Sequence, residues 1–189
     1  MNVLIGTLVL LWVGSPTAAQ TAGCGSIAPT AAISQAGAFS NMRYTEEHAY
    51  GYTVMLWRAG DCVFGLFKSS QGLAGDTPIG ELQDLHYDSK TGRLSFSAKL
   101  TMGVMTSKSS RGLNEPTRDL FTFEGRLAAT SVTGVITHAL QNDTNVQATR
   151  TDVVLGTSKT AAEAMQGSTT YGEWRRKWQP ILQSRGPKW

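Results

Sequence analysis

Residues 120–140 read LFTFEGRLAATSVTGVITHAL, and this stretch decides the fold. Phe121, Phe123 and Leu127 alternate with Thr122, Glu124 and Arg126, small residues follow, and residues 132–140 alternate again. A period of two on both sides of a short turn marks two antiparallel strands, each with one dry and one wet face.

The rhythm continues outward. Leu94, Phe96, Ala98, Leu100 and Met102 share one face, with Arg93, Ser95, Ser97, Lys99 and Thr101 on the other. A one-residue slip would put every apolar side chain of that strand in water, so its register is well specified. The preceding DSKTG (residues 88–92) reads as a turn ending in a left-handed glycine. Residues 79–87 (IGELQDLHY) form a weaker strand whose Leu82 and Leu85 are three apart, which calls for a bulge or an edge position.

Residues 52–58 (YTVMLWR) are nearly continuously apolar, as a strand covered on both faces would be, and Gly60-Asp61 is a Gly-first two-residue turn leading to the return strand 62–68 (CVFGLFK). QNDTN at 141–145 turns the chain into a last strand at 149–155. The chain is therefore mainly β: an antiparallel up-and-down meander of about seven strands, closed as a barrel or folded as a barrel-like sandwich. Residues 103–118 interrupt the meander with a long polar loop, either a lid over a barrel mouth or a mobile hairpin loop.

After the last strand the period changes. Thr160-Ala161-Ala162-Glu163 and Thr170-Tyr171-Gly172-Glu173 are two capping boxes, the first opening a short helix that stops at Gly167. The second precedes Trp174, Trp178, Ile181 and Leu182 on one helical face, with Pro180 expected to kink or end the helix. This face either packs on the sheet or serves a partner or membrane surface.

Residues 1–19 contain an apolar run too short to span a bilayer (residues 3–13), followed by Gly14-Ser15-Pro16 and small residues ending at Ala19. That is the pattern of a secretory signal peptide, although no Lys or Arg precedes the run. The expected organisation is signal peptide 1–19, irregular N-terminal arm 20–47, β-barrel-like domain 48–158 and C-terminal helical segment 159–189. Export to a secreted or periplasmic location makes a Cys24–Cys62 disulfide the leading reading of the two cysteines. The alternative is lipid anchoring through Cys24, because Thr21-Ala22-Gly23-Cys24 resembles a lipobox. No other stretch is long enough for a membrane helix.

Net charge is +3, and its basic excess lies in residues 168–189, where Arg175, Arg176, Lys177, Arg185 and Lys188 face only Glu173. This excess assigns no nucleic-acid partner; a solvated helix face accounts for it. There is no Gly-x-Ser-x-Gly elbow, phosphate loop, His-Glu-x-x-His or Cys-x-x-Cys. No catalytic residue, metal ligand or cofactor is assigned. His48, His86 and His138 fall on or beside different strands, and a barrel could gather them as a metal site. His138 shares its face with Ile136 and Leu140 and so can point inward; His86 with Asp84 or Asp88 could form an acid–base pair. Asn142-Asp143-Thr144 matches a glycosylation acceptor.

Phe123-Glu124-Gly125-Arg126-Leu127 followed by Val132-Thr133-Gly134 resembles the F-x-G-x-L…G hairpin of small exported bacterial β-barrels, whose plan is similar to the calycins, the lipocalin-type barrels. The resemblance covers residues 48–157. The lipocalin Gly-x-Trp signature is missing, since Trp57 follows YTVML. The resemblance implies non-catalytic binding of a small apolar molecule inside the barrel, and Phe96, Met102, Phe123 and Ile136 are the candidate lining residues; packing as ordinary core is their other role. Two further readings belong to other classes: an enzyme with a site at the mouth under residues 103–118, which requires a His, Asp or Arg cluster there, and a cell-envelope interaction protein using the Trp174/Trp178 face.

Overall fold

The computed structural model describes residues 24, 26–73, 75, 77–106, 114–143 and 145–189. The expected signal peptide, the centre of the 103–118 loop and Thr144 of the glycosylation tripeptide lie outside the described residues.

The chain opens with β1 (Ser34–Ser40) and a two-residue strand β2 (Arg43–Tyr44), then forms the long hairpin β3 (His48–Ala59) and β4 (Cys62–Leu73). β5 (Ile79–Asp88) and β6 (Arg93–Leu100) follow. A small excursion of β7 (Val104–Thr106) and β8 (Asn114–Pro116) comes next, before β9 (Asp119–Leu127), β10 (Ser131–Leu140) and β11 (Thr149–Thr157). Two helices finish the chain, α1 (Lys159–Met165) and α2 (Tyr171–Arg185). The sheet order is β1-β11-β10-β9-β6-β5-β4-β3-β2, and β1 also pairs with β3. Eight antiparallel strands therefore close a barrel in chain order, an architecture consistent with the calycin plan. β2 and the β7–β8 pair stand outside the closed ring.

The closing strand β1 lies in the segment expected to be an irregular arm. Its pattern escapes a period-two reading because the register shifts between Gln35 and Gly37, where Gly37 takes φ +154°. The shift brings Ala38 to the outer face and Phe39 to the inner one. The short strap at 29–33 is bonded to the link between the helices: Ile33 N–H donates to Thr169 O and Tyr171 N–H to Ala31 O.

The turns match their chemistry. Ala59 pairs with Cys62 across Gly60-Asp61, with Gly60 at φ +57° and Asp61 outside the left-handed region, as a type II′ turn requires. Gly92 closes its turn at φ +71°. β5 carries the bulge expected from Leu82 and Leu85: the register with β6 shifts between Gln83 and His86, around Asp84 at φ +48°.

Two cores share the barrel wall. The inner one holds Val54, Leu56, Phe67, Leu94, Phe96, Leu100, Phe121, Phe123, Ile136 and Leu155, all buried. Its rings fill the interior in a chain: Phe67 meets Phe121 at 5.3 Å and Phe96 at 5.9 Å, and Phe96 stacks on Phe123 at 5.1 Å. Phe123 also covers Gly125 and Gly134, which face each other across β9 and β10; a Cβ on either would strike the neighbouring strand and the Phe123 ring. That close approach is the physical reason for the Phe-x-Gly…Gly pattern.

The outer core lies between the wall and the helices. Met55, Trp57 and Leu66 point outward and meet Met165, Trp174 and Trp178. Trp57 contacts Trp174 at 5.7 Å and Trp178 at 5.9 Å, both edge to face. The Trp174/Trp178 face is thus covered by the protein's own barrel. α2 begins with the expected capping box at Thr170 and Glu173, but it runs through Pro180 to Arg185. Trp178, Ile181 and Leu182 flank the proline and all pack on the wall, so burial holds the helix across the one missing backbone donor. The cap of α1 is Ser158, two residues earlier than the Thr160 box suggests. Cys24 and Cys62 form a disulfide with Cα atoms 5.4 Å apart.

Candidate functional site at the barrel mouth

The two ends of the barrel differ. One end carries the tight turns and the disulfide. The other is the mouth, where β3 begins and β4 ends, where β6 gives way to the β7–β8 excursion, and where β10 leads into the 141–148 connection.

Alternation builds the site. Asp119 precedes Phe121 and Phe123 on the inner face of β9, and His138 follows Ile136 on the inner face of β10. His138 is directly opposite Phe121 in the ladder, and its ring stacks on Phe121 with centroids 4.3 Å apart and planes within 3°. From there its Nε2 reaches Asp119 Oδ1 at 2.7 Å. Asp119 Oδ2 accepts from the Thr117 hydroxyl and from Met102 N–H at 2.8 Å, and Thr117 Oγ1 in turn accepts from Gly103 N–H at 3.0 Å. One carboxylate thus ties together the end of β6, the root of the excursion, β9 and β10.

Burial raises the Asp119 pKa, but the hydrogen bonds from His138, Thr117 and Met102 and the charge of His138 outweigh it and leave the carboxyl below its ordinary value. Asp119 is therefore ionised at neutral pH and orients the imidazole. In the neutral tautomer that donates from Nε2 to the carboxylate, Nδ1 is left to accept a hydrogen bond.

His138 faces a pocket of about 340 Å³ together with Ser70, Gln71, Gly72, Leu73, Pro78 and Met102. Beneath it the wall holds Ser69, whose buried hydroxyl has no hydrogen-bond partner. Ser69 is opposite Tyr52, whose ring meets the same Phe121 on which His138 stacks. At this end of the chain's hairpins and connections stand Tyr50, Leu73, Val104 and Val146, four of the six large exposed apolar side chains among the described residues, and Leu73 lines the pocket itself.

Of the four expected lining residues, Met102 lines this pocket, while Phe96, Phe123 and Ile136 lie deeper, within the packed inner core. His86 sits on the outer wall opposite Ser95, His48 stacks on Tyr50 at the start of β3, and His138 points inward. Among the described residues no group of three or more His, Cys, Asp and Glu side chains is placed to hold a metal. Asp119 and Thr117 were not singled out by sequence reasoning, though the inward parity of Asp119 with Phe121 and Phe123 is visible in the sequence. No helix among the described residues is long and apolar enough to cross a membrane. No protein-family model, curated protein or solved structure matches the chain.

Proposed function

We propose that the protein is an exported, calycin-like binding protein that takes a small, largely apolar molecule at the open end of its barrel. The observation that carries this reading is a pocket lined by Leu73, Pro78, Met102 and one carboxylate-oriented imidazole, at the end of the barrel where Tyr50, Val104 and Val146 are also exposed. Exposed apolar groups gathered in one place mark binding surfaces, whereas scattered ones carry no meaning. Leu73, Pro78 and Met102 give this pocket an apolar side, and Ser70, Gln71 and His138 supply polar groups that can orient a small molecule. The packed rings below Met102 favour the mouth over the deep interior, so the ligand is held between the β3–β4 extension and the β7–β8 excursion. Its polar end donates a hydrogen bond to His138 Nδ1. Export is supported by the disulfide and by the apolar N-terminal run.

Native mass spectrometry on protein purified without reduction from a secreting host tests this. The expected result is a bound small molecule, or saturable uptake of a fluorescent fatty-acid probe that weakens on Leu73→Ser and His138→Ala. A ligand-free mass together with no saturable uptake overturns the reading.

The Asp119–His138 pair also favours a second reading, acid–base catalysis at the same pocket, because a carboxylate-oriented imidazole with a free nitrogen is the arrangement of a general base. Turnover of a chromogenic ester that His138→Gln abolishes would select it over simple binding.

A further inference from the structure

A second pocket, of about 400 Å³, lies on the outside of the barrel, between the wall and the helices. It is separate from the mouth: Lys68 lines it from the outer face of β4, while its neighbours Phe67 and Ser69 point into the barrel. Arg185, in the last turn of α2, reaches it from the other side. Thr53, Thr157, Ser158 and Thr160 add hydroxyl groups, and none of the described lining residues carries a carboxylate.

Two cations facing one partly enclosed space repel each other, and half-burial deepens the cost. Burial, and after it the charge of Arg185, hold the Lys68 pKa below the usual lysine value. Lys68 has no carboxylate partner among the described residues; its Nζ lies 6.0 Å from the centre of the Trp178 ring, at the limit of a useful cation–π contact. The ion pairs among the described residues are placed elsewhere: Arg175 meets Glu81, Lys159 meets Glu163, and His138 meets Asp119. The Ser40 and Thr53 hydroxyls bond to each other at 2.8 Å, and Thr157 and Thr160 are also among the lining residues.

We propose that this pocket binds a tetrahedral oxyanion of the phosphate class, held by Lys68 and Arg185 in a space also lined by hydroxyl-bearing residues. Two converging cations suit a doubly charged anion better than a single carboxylate, and charge-assisted hydrogen bonds to such groups are the strong ones. The volume leaves space for a substituent, so the phosphoryl group is either free or carried on a small organic molecule.

Isothermal titration calorimetry of the intact, oxidised protein with inorganic phosphate, against sodium chloride of equal ionic strength, reads this directly. Phosphate binds saturably to the wild type, and Lys68→Met, which keeps the apolar stem over Trp178, weakens binding at least tenfold. Arg185→Gln, on an exposed side chain, weakens it as well and serves if Lys68→Met does not fold. Phenyl phosphate binding more tightly than inorganic phosphate identifies a carried phosphoryl group, and the reverse order identifies the free ion. Heat indistinguishable from the chloride control, or equal affinity in the wild type and the foldable charge-removal variant, overturns the proposal.

Discussion

The two ends of the barrel are built from the same strands to opposite purposes. At the disulfide end, a two-residue turn joins β3 to β4, residues 89–92 join β5 to β6, and residues 128–130 join β9 to β10. β11 runs there almost directly into α1. The bridge from Cys24 to Cys62 adds a covalent tie to the same end. At the mouth the connections are long, apolar side chains stand in water, and order depends on one buried carboxylate with its partners. Short turns and a cross-link reduce the freedom of the unfolded chain, whereas the Asp119 hydrogen bonds act only in the folded one. Covalent and turn constraints gather at one end, and the proposed binding site lies at the other.

Breaking each end should show the difference. Replacing both cysteines by serine removes a constraint that closes a loop of 38 residues' separation. In the chain-entropy model this lowers stability by about 4 kcal/mol. Denaturant unfolding checks that figure, and probe uptake at the mouth should keep its affinity below the unfolding transition.

Asp119→Ala strikes the mouth. It leaves His138 without its acceptor, Met102 N–H with Thr117 Oγ1 alone and the Thr117 hydroxyl with Gly103 O alone, at a cost of about 1–3 kcal/mol. Asp119→Asn keeps an acceptor and costs less. Acid should reproduce part of this loss. The folded Asp119 pKa is depressed, so its contribution is complete above the ordinary carboxyl value near 3.8 and disappears as the pH falls through the folded value. An unfolding series through the acid range, compared between wild type and Asp119→Asn, should show the steeper loss in the wild type.

The smallest stability effect belongs to the rim. Tyr50→Ser and Leu73→Ser remove exposed side chains and should change stability by less than about 0.5 kcal/mol. Each should nonetheless weaken uptake of an apolar probe severalfold. A rim substitution that changed stability and left uptake intact would reverse the comparison.

Much of the scaffold was legible because burial on one face of a strand leaves a period of two. The seven barrel strands from β3 onward, the turn types, the β5 bulge and the inward aim of His138 all follow from that period, whereas β7 and β8 lie in the segment read as a loop. β1 was not legible. Its small residues carry little pattern, its bulge shifts the parity at Gly37, and its two partners are known only once the ring is closed. Pro180 misled for a related reason: a local rule about the backbone donor was outweighed by Trp178, Ile181 and Leu182 packing against a wall distant in sequence. At the mouth, Asp119 lay in plain view on the inner face of its strand. The convergence of Thr117 and Met102 upon it depends on where β6 ends and β9 begins, which no period encodes.

β1 is the first strand of the ring, and it pairs both with β3 and with β11, the last strand of the chain. A polypeptide emerging N-terminus first completes the β1–β3–β4 unit early, and the partners of the disulfide are both present by then. The other edge of β1 must wait for nearly all the remaining chain. Closure of the cylinder is therefore a late event between distant segments, slow in the way that long-range pairings are slow. Until it occurs, β1 and β11 are two unpaired edges that a second molecule can satisfy equally well, so exchange of β11 between copies is the assembly error this topology most readily permits.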